Sequence, residues 1–334
     1  MTSVGIIANP AAGKDIRRLV AHGRVVPNQE KVNILKRIFA GLDAVGVRDI
    51  VMMPDVARLG NGALDGTRLD LRVEFLDMII YNAERDSTSA AEMMEAAGVG
   101  CIITLGGDGT NRVVAKGIED VPLAPVSTGT NNVFPAMVEG TLAGLAAGLV
   151  ALGLVDAKKA TVRTKRLEVY VDDEYRDMAL VDVAVSTERF VGARAVWDID
   201  TVHELFLSRA EPSSIGLSAI GGLLRPIGIT EKVGLHLELG PGGPSVTAPI
   251  APGVVIQVDV KRWSELSVGE RVSVGLRRGT IALDGERTFS LKGNEKVEVC
   301  LSSRGPRVVD IDAALTEASL AGVLVREADS SDGV

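Results

Sequence analysis

Two rhythms of apolar residues run along the chain, and one gives way to the other near residue 155. In the first half, short apolar runs recur between longer stretches with helical spacing. Val4–Ala8, Asp49–Met53, Arg72–Ile80, Ile102–Leu105 and Pro122–Val126 read as strands, the continuous runs among them buried on both faces. Gln29–Val45 places Val32, Ile34, Leu35, Ile38, Phe39 and Leu42 close to helical spacing and stops at Gly46. Ser87–Ala97, with a Ser87/Ser89 start, is a second helix, and the Ala-, Leu- and Gly-rich Met137–Leu152 is a helix for a core or a domain joint. Strands that alternate with helices predict a parallel, Rossmann-like sheet with right-handed crossovers. Its ligand crevice lies beyond the carboxyl ends of the strands.

After residue 155 the segments become short and alternating: Arg166–Val171, Met178–Val185, Val233–Leu239, Val254–Val260, Arg271–Leu276, Thr288–Leu291 and Lys296–Leu301. Asp172-Asp173, Gly240–Pro244 and Gly293-Asn294 separate them as turns. The expected organisation is an α/β domain over 1–135, a β-rich domain over 136–310, and a closing segment over 311–334 whose amphipathic Ala313–Val325 packs back on the first domain. Trp197–Ser218, carrying Asp198, Asp200, His203, Glu204 and Arg209, reads as a helical stretch with a solvated charged face.

Composition narrows the partners. At 334 residues there is core enough for two domains, and a net charge of −8 excludes a general nucleic-acid face while allowing a local basic cleft. The N-terminus has no basic region before its apolar run, and Leu142–Val155 is too short and glycine-rich to span a bilayer. Cys101 and Cys300 make neither a disulfide framework nor a metal spacing, as suits a reducing compartment. The expectation is a cytoplasmic protein that takes a nucleotide and a small-molecule substrate, without nucleic acid or membrane, and that self-associates as a homo-oligomer. His203 with Asp200 or Glu204 is a candidate metal or acid/base pair, but three histidines offer no second ligand cluster and no metal ligand is assigned.

The chemistry concentrates in loops at strand ends. In Cys101–Asn111, C-I-I-T-L-G-G-D-G-T-N, Gly106, Gly107 and Gly109 strip the turn of every Cβ except that of Asp108. Thr110 is expected to cap a helix through about Ile118, so that amides of the turn and of the helix start face one space, as a phosphate requires. An anion site avoids carboxylates, so Asp108 is expected to meet a hydroxyl or, through water, a metal ion; the alternative is an Asp that merely satisfies loop amides. A second loop, Asn9-Pro10-Ala11-Ala12-Gly13-Lys14, is no Walker A sequence, and Lys14 reads as a solvated lysine. A third, Pro125–Pro135, offers Ser127, Thr128, Gly129, Thr130, Asn131 and Asn132 as uncharged partners for a nucleotide. Far downstream, Asp284-Gly285 between apolar runs is a type I′ hairpin signal over Thr280–Thr288.

The combination of Asn9-Pro10…Gly13, Gly106-Gly107-Asp108-Gly109-Thr110, Ser127–Asn132 and Leu283-Asp284-Gly285-Glu286 resembles the NAD kinase/diacylglycerol kinase superfamily, and within it the acetoin-catabolism X-type proteins. The resemblance implies ATP-dependent phosphoryl transfer to a hydroxyl, with ATP and Mg²⁺ required and NAD the leading acceptor. It implies phosphate binding by Asn9, Gly106, Gly107, Gly109, Thr110, Thr128, Gly129, Thr130, Asn131 and Asn132. Asp108, Glu286 and Asp284 become the catalytic candidates, and the hairpin should return to the cleft, with Arg277, Arg278 or Arg287 neutralising phosphate. Ala179-Leu180-Val181-Asp182 is similar to the dinucleotide-binding stretch of NAD kinases. There Asp182 matches as a substrate-binding residue while Val181 replaces an asparagine, and an asparagine restored at 181 is expected to improve use of NAD. Phosphorylation of another small polyol or an acetoin-related metabolite stays open, as does a nucleotide-binding regulator without turnover.

Overall fold

The computed structural model describes residues 2–13, 22–23, 25–66, 68–129, 131–188 and 198–325. β1 (Ser3–Ala8) carries no charged side chain and is sheathed by helices on both faces, which makes it a central strand. α1 (Asn28–Ala44), β2 (Asp49–Met52), α2 (Leu59–Leu64), β3 (Arg72–Phe75), α3 (Glu84–Ala96), β4 (Cys101–Gly106), α4 (Asp108–Lys116) and β5 (Leu123–Ser127) follow in alternation. They pair in the order β3-β2-β1-β4-β5, all parallel. Leu35, Ile38, Phe39 and Leu42 of α1 cover one face of the sheet, and Met94 and Val114 of α3 and α4 cover the other. The strand order reverses between β1 and β4, so the loops after Ala8 and Gly106 open on one crevice at the switch point.

α5 (Gly140–Ala151) and α6 (Ala157–Ala160) return the chain to β6 (Thr161–Arg163) at the edge of this sheet. A β-rich layer is then built from β7 (Arg166–Val171), β8 (Glu174–Ala179), β9 (Asp182–Ser186), β10 (Val202–Leu207), α7 (Leu217–Leu224), β11 (Val233–Leu239), β12 (Ser245–Ala251), β13 (Val254–Ser267), β14 (Arg271–Ser273), β15 (Arg278–Leu283), β16 (Glu286–Lys292) and β17 (Val297–Ser302). Its antiparallel strands form one sheet of order β12-β13-β11-β10-β9-β15-β16 and a smaller one of order β14-β17-β7-β8. Leu167, Val169 and Val299 of the smaller sheet pack on Val183, Phe206 and Ile281 of the larger. β18 (Arg307–Val309) then inserts between β5 and β6, and α8 (Ile311–Leu320) buries Ala314 and Ala318 against the first core.

Sheet membership therefore assigns Gly140–Arg163 and Arg307–Leu320 to the first domain, in place of the division at residues 135 and 310 drawn from periodicity. Three further expectations change. The strand expected over Arg72–Ile80 pairs only to Phe75. α3 begins at Glu84, ahead of the serines, because Asp86 turns back to accept the Tyr81 and Ala83 N–H groups. The stretch around 200 is a strand, not a helix: a bulge between Val202 and Glu204 breaks the alternation that would have announced it, and it buries Glu204 and Arg209. Among the described residues no helix is long and apolar enough to cross a membrane.

Candidate active site

The three loops expected at the crevice meet there, and their own hydrogen bonds explain how. Asn9 donates its backbone N–H to the Leu105 carbonyl at 3.0 Å and its side-chain amide to Thr110 Oγ1 at 2.9 Å. Buried Lys31 gathers the carbonyls of Asn9, Pro10 and Ala12 within 3.1 Å, which fixes the loop after β1. That loop closes on the third at Gly13, whose φ of +72° suits glycine and where a Cβ would lie 2.4 Å from the Thr128 carbonyl oxygen. Thr128 N–H donates to the Gly106 carbonyl at 3.2 Å, and Asn132 Nδ2 donates to Ser127 Oγ at 2.8 Å. Asn132 Oδ1 stands 2.8 Å from where a Cβ on Gly107 would be, so the turn after β4 accepts only glycine without displacement.

α4 starts at Asp108 with Gly107 as its N-cap, and no side chain caps it. Thr110 is thus not the cap; it occupies the first helical turn, where its hydroxyl takes the Asn9 amide. Asn111 serves the turn instead, donating Nδ2 to the Gly107 carbonyl at 2.9 Å while its Oδ1 accepts from Thr104 at 2.6 Å. Among the described residues the enclosed Thr128 Oγ1 has no hydrogen-bond partner. Uncapped helix amides, a glycine turn and a spare hydroxyl are a donor set that fits the phosphates of a nucleotide. Gly129 and Asn131 belong to the same loop, whereas Thr130 and Lys14 lie outside the described residues.

The Asp108 carboxylate engages the third loop. Its Oδ1 accepts the N–H groups of Val133 at 3.0 Å and Phe134 at 2.8 Å, so loop amides are indeed satisfied. Burial and the neighbouring Asp284 nonetheless push its carboxyl up to about 7, against the pull of the two amides and of Arg209. A carboxyl that titrates near neutrality can accept a proton from a hydroxyl.

The distant hairpin returns to this point. Asp284 at φ +50° and Gly285 at φ +76° make the two left-handed positions of a type I′ turn between β15 and β16. Glu286 then stands half-buried with its carboxylate oxygens 3.4 and 3.6 Å from the position of a Cβ on Gly109. Asp284 differs from expectation: its side chain is wholly enclosed and accepts the Leu180, Val181 and Asp182 N–H groups at 3.0, 2.7 and 3.2 Å, which gives it a positioning role. Burial pushes its carboxyl up, while Arg112, with Nε 3.9 Å away, pulls it down. Asp182 is buried at the start of β9 and accepts the Asp284 N–H through its carbonyl. Val181, the departure from the NAD-kinase pattern, faces no cleft; it packs with Ala115, Phe134, Met178 and Leu180 in an apolar seam between the layers. Arg277 and Arg278 lie at the far end of β15 from the turn, and the Arg287 side chain is outside the described set.

Sequence reasoning missed Arg209. It follows β10, is buried, reaches Val133 carbonyl oxygen at 3.5 Å and lies over the Phe134 ring at 5.0 Å. The available signal was a lone arginine set between Ser208 and Ala210 after an apolar run. His203 and Glu204, by contrast, sit with His236 inside the β-rich layer, and among the described residues no group of three His, Cys, Asp or Glu side chains is arranged to hold a metal.

Residues 4–154 match the ATP-NAD kinase N-terminal domain and residues 165–304 the acetoin catabolism protein X C-terminal domain. Over 331 residues the chain is 41% identical to acetoin catabolism protein X of Cupriavidus necator, an alignment covering 94% of this chain and 92% of the relative. The chain belongs to the acetoin catabolism protein X family. The two halves matched in this family member correspond to the parallel layer and the β-rich layer, and the gap between them is the passage through β6. A solved Bacillus anthracis protein described as a diacylglycerol kinase candidate superposes on 92% of this chain, and this chain on 97% of it, at 13% identity and a TM-score of 0.42.

Proposed function

We propose that this chain transfers the γ-phosphoryl group of ATP to a hydroxyl of a small molecule, with NAD the leading acceptor. The observation that carries the reading is the approach of Glu286, from a hairpin far downstream, to the glycine turn that presents Asp108. In this reading the glycine turn and the Ser127–Asn132 loop take the phosphates. Asp108 receives the acceptor's hydroxyl proton, and the acceptor oxygen bonds to the γ-phosphorus as the bond to the β–γ bridging oxygen breaks, leaving ADP. Asp284 fixes the hairpin so that Glu286 faces the turn.

Magnesium suits this site as an ion held mainly by the nucleotide's own oxygens, for which one protein carboxylate suffices; Glu286 is the candidate, and the ion would offset phosphate charge. The enclosed Val181 favours a second acceptor class, another small polyol or an acetoin-related metabolite, since no amide at 181 is offered to a dinucleotide. A coupled ADP-release assay over a panel of hydroxyl acceptors, NAD first, tests both. Acceptor-dependent ADP release is the expected result; its absence across the panel leaves the nucleotide-binding regulator.

A further inference from the structure

Two arginines are buried at the junction of the layers, and their surroundings differ. Arg112, on α4, has Glu84 at 3.3 Å, Asp177 at 3.6 Å and Asp284 at 3.9 Å, so its charge is compensated. Arg209 is 5% exposed, yet among the described residues no carboxylate approaches its guanidinium within 4 Å, and its hydrogen bond is the 3.5 Å contact to the Val133 carbonyl. Asp108, Asp284 and Glu211 act on it only through their fields. Lys165, the other cation close by, is engaged with the Gly228 and Val233 carbonyls at 3.1 and 2.7 Å. A buried guanidinium without an anion in contact is costly, and its planar fork of donors is the shape that phosphate oxygens match.

Its place narrows the ligand. Val133 and Phe134 are the residues whose amides hold Asp108, and Arg209 stands over that same peptide from the opposite layer. Arg209 and Asp108 thus engage one and the same peptide segment, and each feels the other's charge. We propose that Arg209 grips the phosphoryl group in transit, as a catalytic residue contributed by the β-rich layer to a cradle built by the parallel layer. The inference rests on the phosphotransfer reading. As the γ-phosphorus loosens from the bridging oxygen and gains the acceptor oxygen, charge collects on its outer oxygens, and a fixed guanidinium stabilises that charge without reorganising.

The test compares the full-length protein with Arg209→Met and with Arg209→Lys, which retains a charge and a long stem and provides a second folded variant. Arg209→Met should lower kcat by ~10²–10³-fold, the loss typical of one preorganised donor, with acceptor KM changed by less than about threefold, and Arg209→Lys should recover part of the loss. Removing a cation from beside Asp108 should also move the rising limb of the pH profile to higher pH. Calorimetry with ADP and aluminium fluoride supplies a readout independent of turnover: the methionine variant should bind this mimic at least ~10²-fold more weakly while binding ADP alone as the parent does. A parent that turns over no acceptor removes the phosphotransfer reading, and the fluoride complex then still decides whether Arg209 grips a phosphoryl-like anion. Unchanged kcat, or equal affinity of parent and variant for the fluoride complex, overturns the assignment and leaves Arg209 a packing residue.

Discussion

Asp108 is held by two amide protons and still resists ionising, because burial and Asp284 outweigh them. In the phosphotransfer reading Asp108 is the base and needs the ionised form, so kcat should rise with pH through about 7, as a pH–rate profile would record. Asp108→Asn keeps one oxygen able to accept both amides, and it should fold while turnover drops ~10²–10⁴-fold. The sign for stability is opposite to that of a salt-bridged carboxylate. A raised folded pKa means the native state holds its proton longer than the unfolded chain, so the Asp108 contribution falls between pH about 4 and about 7, and urea midpoints of the parent should decline across that window relative to Asp108→Asn. Position 181 reverses its expectation. In the apolar seam an asparagine would lose its hydrogen bonds to water without gaining others, at a cost of ~1–3 kcal/mol, so Val181→Asn should melt earlier and show no gain in kcat/KM for NAD.

At the scale of elements, the β15–β16 hairpin separates two acids that sequence placed together. Asp284→Ala would strand three backbone amides and leave Arg112 one carboxylate fewer, so unfolding should become easier by about 3 kcal/mol or more. Glu286→Gln keeps the shape of the side chain and should leave a cooperative urea transition while lowering turnover. The hairpin was legible because Asp-Gly at a type I′ turn is dictated by local backbone sterics. The strands β1, β7 and β11 were legible because an unbroken or alternating apolar run has one best burial. β10 was hidden because its bulge removes the period, and the start of α3 because its cap, Asp86, works from inside the helix. The loops of the site could be located from glycines and hydroxyls, but not the role of Thr110, since its partner Asn9 is 101 residues away. Arg209 escaped for the same reason: its burial is a product of two layers meeting, which no local window contains.

At the scale of the whole molecule, the layers are tied by charge as well as by the apolar seam. Arg112 of the parallel layer meets Asp177 and Asp284 of the β-rich layer, and Lys116 adds a 2.6 Å contact to Asp177. Arg112→Ala leaves the enclosed Asp284 without its counter-ion while Asp177 keeps Lys116, at a cost of ~3–5 kcal/mol, and should loosen the coupling between layers. Calorimetry of the variant should resolve two thermal transitions where the parent shows one.

β18 lies between β5 and β6, so the sheet that begins with residue 3 is completed by residues 307–309. A ribosome must therefore reach residues 307–309 before the sheet that holds residue 3 can close. Until then Leu123 on β5 lacks the neighbour it meets at Val308, and the Ala314 and Ala318 side of the core stays open to solvent or to a chaperone. Release of a chain stopped at residue 304 should yield a species that protease digests in its amino-terminal half, although nothing has been deleted there. Adding back a chain of residues 305–325 in trans should restore protection if the late strand is what seals it. Vectorial synthesis thus delays closure of the first sheet until Arg209 and Glu286, in the other layer, have already been made.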